Sequence, residues 1–287
     1  MTDHSRNTAE RPLMSGPEAR RLFRSARYRD HTAGFSFGLV QGNIVILPAA
    51  EASDFARFCL ANPAACPVVG VSEVGDPTLP LLGVDIDIRT DVPAYRVYRQ
   101  GRDGGEVTDI SDLWRDDMVT FVLGCSFSFE QALSEAGYEL DHIVRDRTVA
   151  MYRTRRNNVA AGPFGDYLVV SMRPIPETAA QAITDITRAF PYAHGAPVHI
   201  GDPAVLGIKD LDSPDWGQSA TFRPGDVPAF WACGVTPQSA IMAAGLELCI
   251  THSPGRMLIT DLPAGEPAMA AWKAAQHILE KHGRLSS

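Results

Sequence analysis

Two short segments bring together residue types that can do chemistry in one place. Gly124-Cys125-Ser126-Phe127-Ser128 follows an apolar run over 118–123, and Cys233-Gly234-Val235-Thr236-Pro237 follows another over 229–232. Each sets a thiol between the end of an expected strand and the start of an expected helix. Ser128 and Gln131 have capping-box spacing, and Thr236-Pro237 reads as an N-cap followed by a proline at N1. Free amides at a helix start attract carboxylates, and the same field lowers the pKa of a thiol. Two such ends would suit a dicarboxylate. The plain alternative is that Cys125 and Cys233 are small residues that let a strand and a helix approach. Gly234, which permits close backbone approach, tilts the second turn toward function.

The proton-transfer candidates lie nearby in sequence. His252, in Thr251-His252-Ser253-Pro254-Gly255, is a candidate general acid or base because an ordinary imidazole titrates near neutrality. Asp226, just ahead of the second turn, would orient an amine or simply hold its loop. With Cys125 and Cys233 these form the catalytic set. The substrate-binding set is Ser126, Ser128, Thr236, Arg173, His194 and His199. Arg173 closes an expected strand and can clamp a carboxylate through two parallel hydrogen bonds, or it is an exposed strand-end arginine. His194 and His199 stand near Asp202; two histidines and an aspartate can bind a metal, but the spacing fits no standard site, so loop hydrogen bonding is preferred and no metal is expected. No cofactor is expected either. A phosphate-binding Gly-x-x-x-x-Gly-Lys loop, a dinucleotide-binding Gly-x-Gly-x-x-Gly and His-Glu-x-x-His are absent, and the one Gly-x-Ser-x-Gly string, at 34–38, follows no apolar run and so makes no nucleophile elbow.

The elements that must position these residues follow from patterning. Ser15 and Glu18 have capping-box spacing and predict a helix to about Tyr28. A strand is expected over 43–47, then a helix over 53–61 with Phe55, Phe58 and Cys59 on one face. Strands are expected over 66–73, 94–99 and 118–123, with a hairpin at 101–105. The middle reads as helix, strand (150–153), strand (167–172), helix (177–190) and strand (198–200). Strand 229–232, helix 238–244, strands 248–251 and 257–260 and a helix over 267–282 complete the chain. The fold class is α/β. A disordered tail is expected over 1–13, a discontinuous α/β domain over 14–130 and 205–287, and a smaller two-layer α+β domain inserted at 131–204.

Bulk composition excludes several function classes. The net charge is −8, which argues against a nucleic-acid partner. The one basic run, Arg153-Thr154-Arg155-Arg156, reads as a solvated face, with an anion contact as the alternative. Five widely spaced cysteines without a Cys-x-x-Cys pair speak against structural zinc or a disulfide framework. There is no signal-peptide pattern and no apolar run of the roughly 18 residues a membrane span needs. The expectation is a cytoplasmic protein with a small amino-acid or dicarboxylate substrate, no nucleic-acid or membrane partner, and a homodimer left open.

Longer strings carry a family resemblance: Gly-Cys-Ser-Phe-Ser-Phe-Glu at 124–130, Ala-Gly-Pro-Phe at 161–164, Val-Val-Ser-Met-Arg-Pro at 169–174, Ala-His-Gly-Ala-Pro-Val-His-Ile-Gly-Asp-Pro at 193–203, Phe-Trp-Ala-Cys-Gly-Val-Thr-Pro-Gln at 230–238 and Ile-Thr-His-Ser-Pro-Gly at 250–255. On these the chain resembles the D-glutamate cyclase-like family of hydro-lyases from about Ser15 onward. The resemblance implies a two-part α/β architecture and cyclisation of D-glutamate to 5-oxo-D-proline with loss of water. Two departures from the family pattern stand out, Arg256 in place of a histidine and the stretch 155–159. Read from the residues alone, a cofactor-independent racemase or epimerase using two thiols and a non-catalytic small-carboxylate-binding protein remain open.

Overall fold

The computed structural model describes residues 11–284. The tail expected over 1–13 lies outside the described residues up to residue 10. Arg11–Leu13 forms a 3-10 turn, and Arg11 is buried against Tyr28 and Phe35 with its guanidinium on Asp146 at 2.5 Å.

Helix α1 (Gly16–Arg24) starts at the Ser15–Glu18 capping box, as its sequence predicts. Then follow β1 (Leu39–Pro48), α2 (Ala49–Ala61), β2 (Val68–Val71), β3 (Tyr95–Arg99), β4 (Arg102–Val107) and β5 (Met118–Gly124). Two short helices, α3 (Glu130–Glu135) and α4 (Asp141–Val144), lead to β6 (Ala150–Asn157), β7 (Tyr167–Pro176), α5 (Ala180–Arg188), β8 (His199–Ile200) and β9 (Asp226–Ala232). The chain ends with α6 (Thr236–Ala244), β10 (Cys249–His252), β11 (Leu258–Pro263) and α7 (Glu266–Arg284). The α/β class expected from patterning is the one observed.

The larger sheet runs β2-β5-β1-β10-β3-β4, with β11 also on β1. The smaller runs β6-β7-β9-β8. Every ladder between these strands is antiparallel. The turns therefore do not form the row of strand carboxyl ends found in a parallel sheet. Strand β9 pairs with β7 along its full length, so the smaller sheet reaches residue 232, past the boundary expected at 204. Which strand pairs with which is a long-range choice that local patterning does not encode. One core cluster draws Leu47, Phe55 and Phe121 from the larger sheet's side and Tyr152, Met172 and Phe230 from the smaller sheet.

Strand β1 is the hinge of the arrangement. It pairs with β5 from Gly42↔Gly124 to Pro48↔Met118. On its other edge it changes partner midway. Gln41 and Gly42 face β11, whereas Val45 and Ile46 face β10. Asn43 and Ile44 fall at the changeover, between the last register pairs of the two ladders.

Candidate active site

The two cysteine turns converge on Asn43. Its side-chain Nδ2 donates to Gly124 O at 3.0 Å and Leu123 O at 3.3 Å, which ties it to the first turn. The second turn lies directly against it: a Cβ on Gly234 would stand 2.2 Å from Asn43 Cγ. Only glycine allows this approach. Gly124 is equally confined, since a Cβ there would lie 1.7 Å from Tyr192 O, in the loop that presents His194.

The turns share a local design. Each thiol is approached by the amide two residues on, that of Phe127 for Cys125 and Val235 for Cys233. The following amides are also taken, Ser128 N–H by Cys125 O and Thr236 N–H by Cys233 O, at 2.9 and 3.0 Å. The amide immediately after each cysteine, Ser126 or Gly234, has no acceptor among the described residues. The two turns therefore offer one spare donor each. Burial pushes the Cys125 thiol up to about 12 and the Cys233 thiol up to about 11, despite the smaller opposite pull of those amides. Both are neutral near pH 7. The helix-end field expected to activate them is outweighed by desolvation, and the first turn runs only into a 3-10 turn and the six-residue α3.

A buried charge network underlies the first turn. Arg173 projects from β7, 1 % exposed, against the mutually packed rings of Phe129 and Trp231, with its guanidinium carbon 5.3 and 5.4 Å from their centroids. Its Nη2 donates to Ser126 Oγ at 3.0 Å and to Glu130 Oε1 at 2.5 Å. His142 Nε2 meets the same carboxylate oxygen at 2.8 Å. Burial alone would raise the Glu130 pKa, but His142 and Arg173 together hold it below its ordinary value. Arg173 is thus neither exposed nor open as a bidentate clamp. It holds Ser126.

The remaining predicted residues separate into those near the turns and those away from them. His252 is fully buried at the changeover in β1, where its Nδ1 lies 3.1 Å from Ile44 N. Burial pushes its pKa down to about 4. His194 is buried with Nδ1 2.7 Å from Ala64 O, and burial, reinforced by the Arg173 charge, takes it down to about 4. Ser128 and Thr236 hydroxyls serve the backbone, accepting from Gln41 N and Val169 N at 3.0 Å each. Thr236 is the first helical residue and Val235 the N-cap, one position earlier than the Thr-Pro pattern predicts, because the Thr236 hydroxyl bonds β7 instead of its own helix. Neither Ser128 nor Gln131 makes the expected capping box; Gln131 bonds Glu135 at 2.6 Å.

Asp226 and His199 are not brought to the turns. Asp226 begins β9 while Cys233 follows its end, a separation of roughly 20 Å along an extended chain. It accepts from Arg223 N at 2.8 Å and lines a separate cavity of about 180 Å³ with Glu139 and Asp141. His199 bonds Asp202 O at 2.8 Å beside the ring of Phe230. Arg256, one of the departures noted in sequence, is tied to Arg29 O and Glu106 at 2.7 and 2.8 Å.

Sequence reasoning missed Asn43, Glu130 and His142. Asn43 carries a signal in retrospect: Gln41-Gly42-Asn43 interrupts an otherwise apolar strand and is nonetheless buried. Among the described residues, no group of three or more His, Cys, Asp or Glu side chains is placed to hold a metal ion, and no helix is long and apolar enough to cross a membrane.

Comparison with known proteins gives a consistent picture. The sequence profile of the D-glutamate cyclase family matches residues 119–261, a span that contains both cysteine turns, Arg173, His194 and His252 but not Asn43. A protein of Verminephrobacter eiseniae is 58% identical over 245 residues, covering 85% of this chain and 89% of its own length. One of Dinoroseobacter shibae is 56% identical over 246 residues, or 86% and 82% of the two chains. One of Rhizobium johnstonii is 51% identical over 257 residues, or 90% and 96%. All three carry a provisional hydro-lyase name.

Proposed function

The chain belongs to the D-glutamate cyclase family, and from that premise we propose that it is a hydro-lyase that closes D-glutamate to 5-oxo-D-proline with release of water. The observation that carries the reading is the convergence of two matched turns on Asn43, each with one spare backbone donor. Two spare donors on turns that meet at one side chain suit a substrate with a carboxylate at each end. The Ser126 and Gly234 amides would receive carboxylate oxygens, and Arg173 would keep Ser126 in place from below.

In the reaction the amine nitrogen attacks the γ-carboxyl carbon. The C–N bond of the lactam forms, a C–O bond breaks, and the departing oxygen leaves as water with protons that include those lost by nitrogen. Holding the chain folded supplies much of the acceleration, because ring closure is intramolecular. Burial leaves the thiols neutral, which favours positioning over the thiol acid–base chemistry a two-cysteine racemase would need. Incubation of purified protein with D-glutamate should yield 5-oxo-D-proline detectable by chiral chromatography. No product over prolonged incubation, in either direction of the equilibrium, would sink the substrate assignment.

A further inference from the structure

The hydrogen bonds of His252 define what that residue can do. Its Nδ1 lies 3.1 Å from Ile44 N and 3.4 Å from Ile44 O. These contacts demand opposite tautomers: the first makes Nδ1 an acceptor, the second a donor. Strand register decides between them. Alternation along β1 turns the main-chain groups of Ile46 and Ile44 toward β10, with Ile46 opposite Ile250. One repeat further, Ile44 O faces the main-chain N–H of His252, so the carbonyl has a donor without the ring. The Ile44 N–H has no such alternative. His252 O, its ordinary ladder partner, is occupied by Gln238 Nε2 at 3.0 Å and Thr251 Oγ1 at 2.9 Å. A buried amide without an acceptor is destabilising, so the stable arrangement has a lone pair on Nδ1 and the proton on Nε2.

That Nε2 is buried and has no partner among the described residues. The ring's Nδ1 rests on Ile44, the neighbour in β1 of Asn43, which touches both turns. We infer that His252 serves this site as a fixed, neutral hydrogen-bond donor through Nε2 to an oxygen of the bound carboxylic acid, and not as a proton-transfer base. The inference rests on the lyase reading for its ligand class but not for its tautomer. The elements packed on His252 contribute no charge to its titration: β1 offers Ile44, α6 offers Gln238, and β3 offers Tyr95, a neutral phenol whose ionisation burial pushes upward, while Arg96, opposite Thr251, is paired with Asp103. His194 has the opposite arrangement. Its Nδ1 donates to Ala64 O, so its lone pair is on Nε2, and it supplies an internal contrast.

The test is long-range proton–nitrogen NMR on protein labelled with ¹⁵N-histidine, with His252 assigned from the His252→Gln variant. The expected result is a His252 signal with bare Nδ1 and protonated Nε2, unmoved between pH 5.5 and 8, and the reverse tautomer at His194. Titration with D-glutamate, L-glutamate and 5-oxo-D-proline should shift the His252 Nε2–H without removing it. A His252 Nδ1–H tautomer, a titration within that window, or an Nε2–H indifferent to all three acids overturns the inference. A response to the acids without any D-glutamate turnover would overturn the substrate reading and leave this one standing. In an active preparation, His252→Gln, which retains an N–H at similar reach, should keep activity within about tenfold. His252→Ala should lose on the order of a hundredfold or more, as removal of a single oxygen-binding donor does elsewhere. Equal losses in the two variants would also overturn it.

Discussion

Asn43 and Gly234 meet face to face: the Asn43 amide fills the volume a Gly234 side chain would need, with Nδ2 2.2 Å and Oδ1 2.4 Å from the position of its Cβ. The same amide donates to Gly124 O at 3.0 Å. One side chain therefore sets the spacing between two turns that are 109 residues apart in sequence (124 to 233). This contact makes the site a product of both sheets, since the first turn leaves β5 and the second leaves β9.

Gly234→Ala should accordingly damage function more than stability. The added methyl group must displace Asn43 and so release the first turn. The expected outcome is a loss of at least about tenfold in kcat/KM with a destabilisation of about 1–3 kcal/mol, the range for overpacking a filled interior. Asn43→Ala should cost a similar amount by leaving the Leu123 and Gly124 carbonyls without their donor. Steady-state kinetics beside urea unfolding of the two variants checks both. Full activity in Gly234→Ala would show that the spacing of the turns does not matter.

The thiols provide a second prediction. With pKa values pushed up by burial to about 12 and about 11, Cys125 and Cys233 hold little thiolate at pH 8. Alkylation of native protein by iodoacetamide at that pH should be on the order of a hundredfold slower than at an unstructured cysteine. Mass spectrometry should place what modification occurs first at Cys233, which is half-buried while Cys125 is 6 % exposed. Cys125→Ser and Cys233→Ser should retain activity within about tenfold. Rapid labelling of either thiol, or solvent deuterium appearing at the substrate Cα, would restore the two-thiol racemase.

Acid should destabilise the fold over a defined range. His194 and His252 titrate near 4 when folded and near 6.5 when unfolded. Between those values the unfolded chain binds more protons, so stability rises with pH. The contribution is complete above about pH 6.5 and is lost progressively as pH falls toward 4. Each histidine accounts for on the order of 3 kcal/mol across that interval. Glu130, whose carboxyl is held below its ordinary value, acts in the same direction at lower pH. Urea midpoints measured from pH 7.5 to 4.5 should fall, and His252→Gln should flatten the slope. An unchanged slope in that variant would mean that His252 is not desolvated as described.

Much of the local structure was legible in sequence, and the parts that were not have physical reasons. The Ser15–Glu18 box follows from capping chemistry, and strand β5 and the places of both cysteine turns follow from apolar runs, which are short-range signals. The apolar pattern starts β1 at residue 43; in the structure it begins at Leu39, with Gln41 and Gly42 paired to β11 and Gly42 also to β5. The polar stretch Gln41-Gly42-Asn43 contains the residue that joins the turns. Sequence proximity puts Asp226 near Cys233, but an extended strand separates neighbours by its whole length. Glu130 ended a recognisable string and went unremarked because its partners, Arg173 and His142, become neighbours only when β7 and α4 pack over α3.

Arg173 yields the sharpest separation of stability from function. Its guanidinium bonds Ser126 and Glu130 from one nitrogen and lies against two aromatic rings. Arg173→Ala would strand a buried carboxylate and should cost about 3–5 kcal/mol. Arg173→Lys should not rescue it, since a compact ammonium cannot span the same partners or stack as a plane. The double variant Arg173→Met with Glu130→Leu removes both charges and fills the volume. Buried ion pairs replaced in this way often lose no stability, so its urea midpoint should return close to that of the parent protein. Its activity should not return, because Ser126 would still lack the donor that holds its hydroxyl. Recovery of both together would show that the charges serve the fold alone, and recovery of neither would mean that His142 needs the carboxylate for the fold.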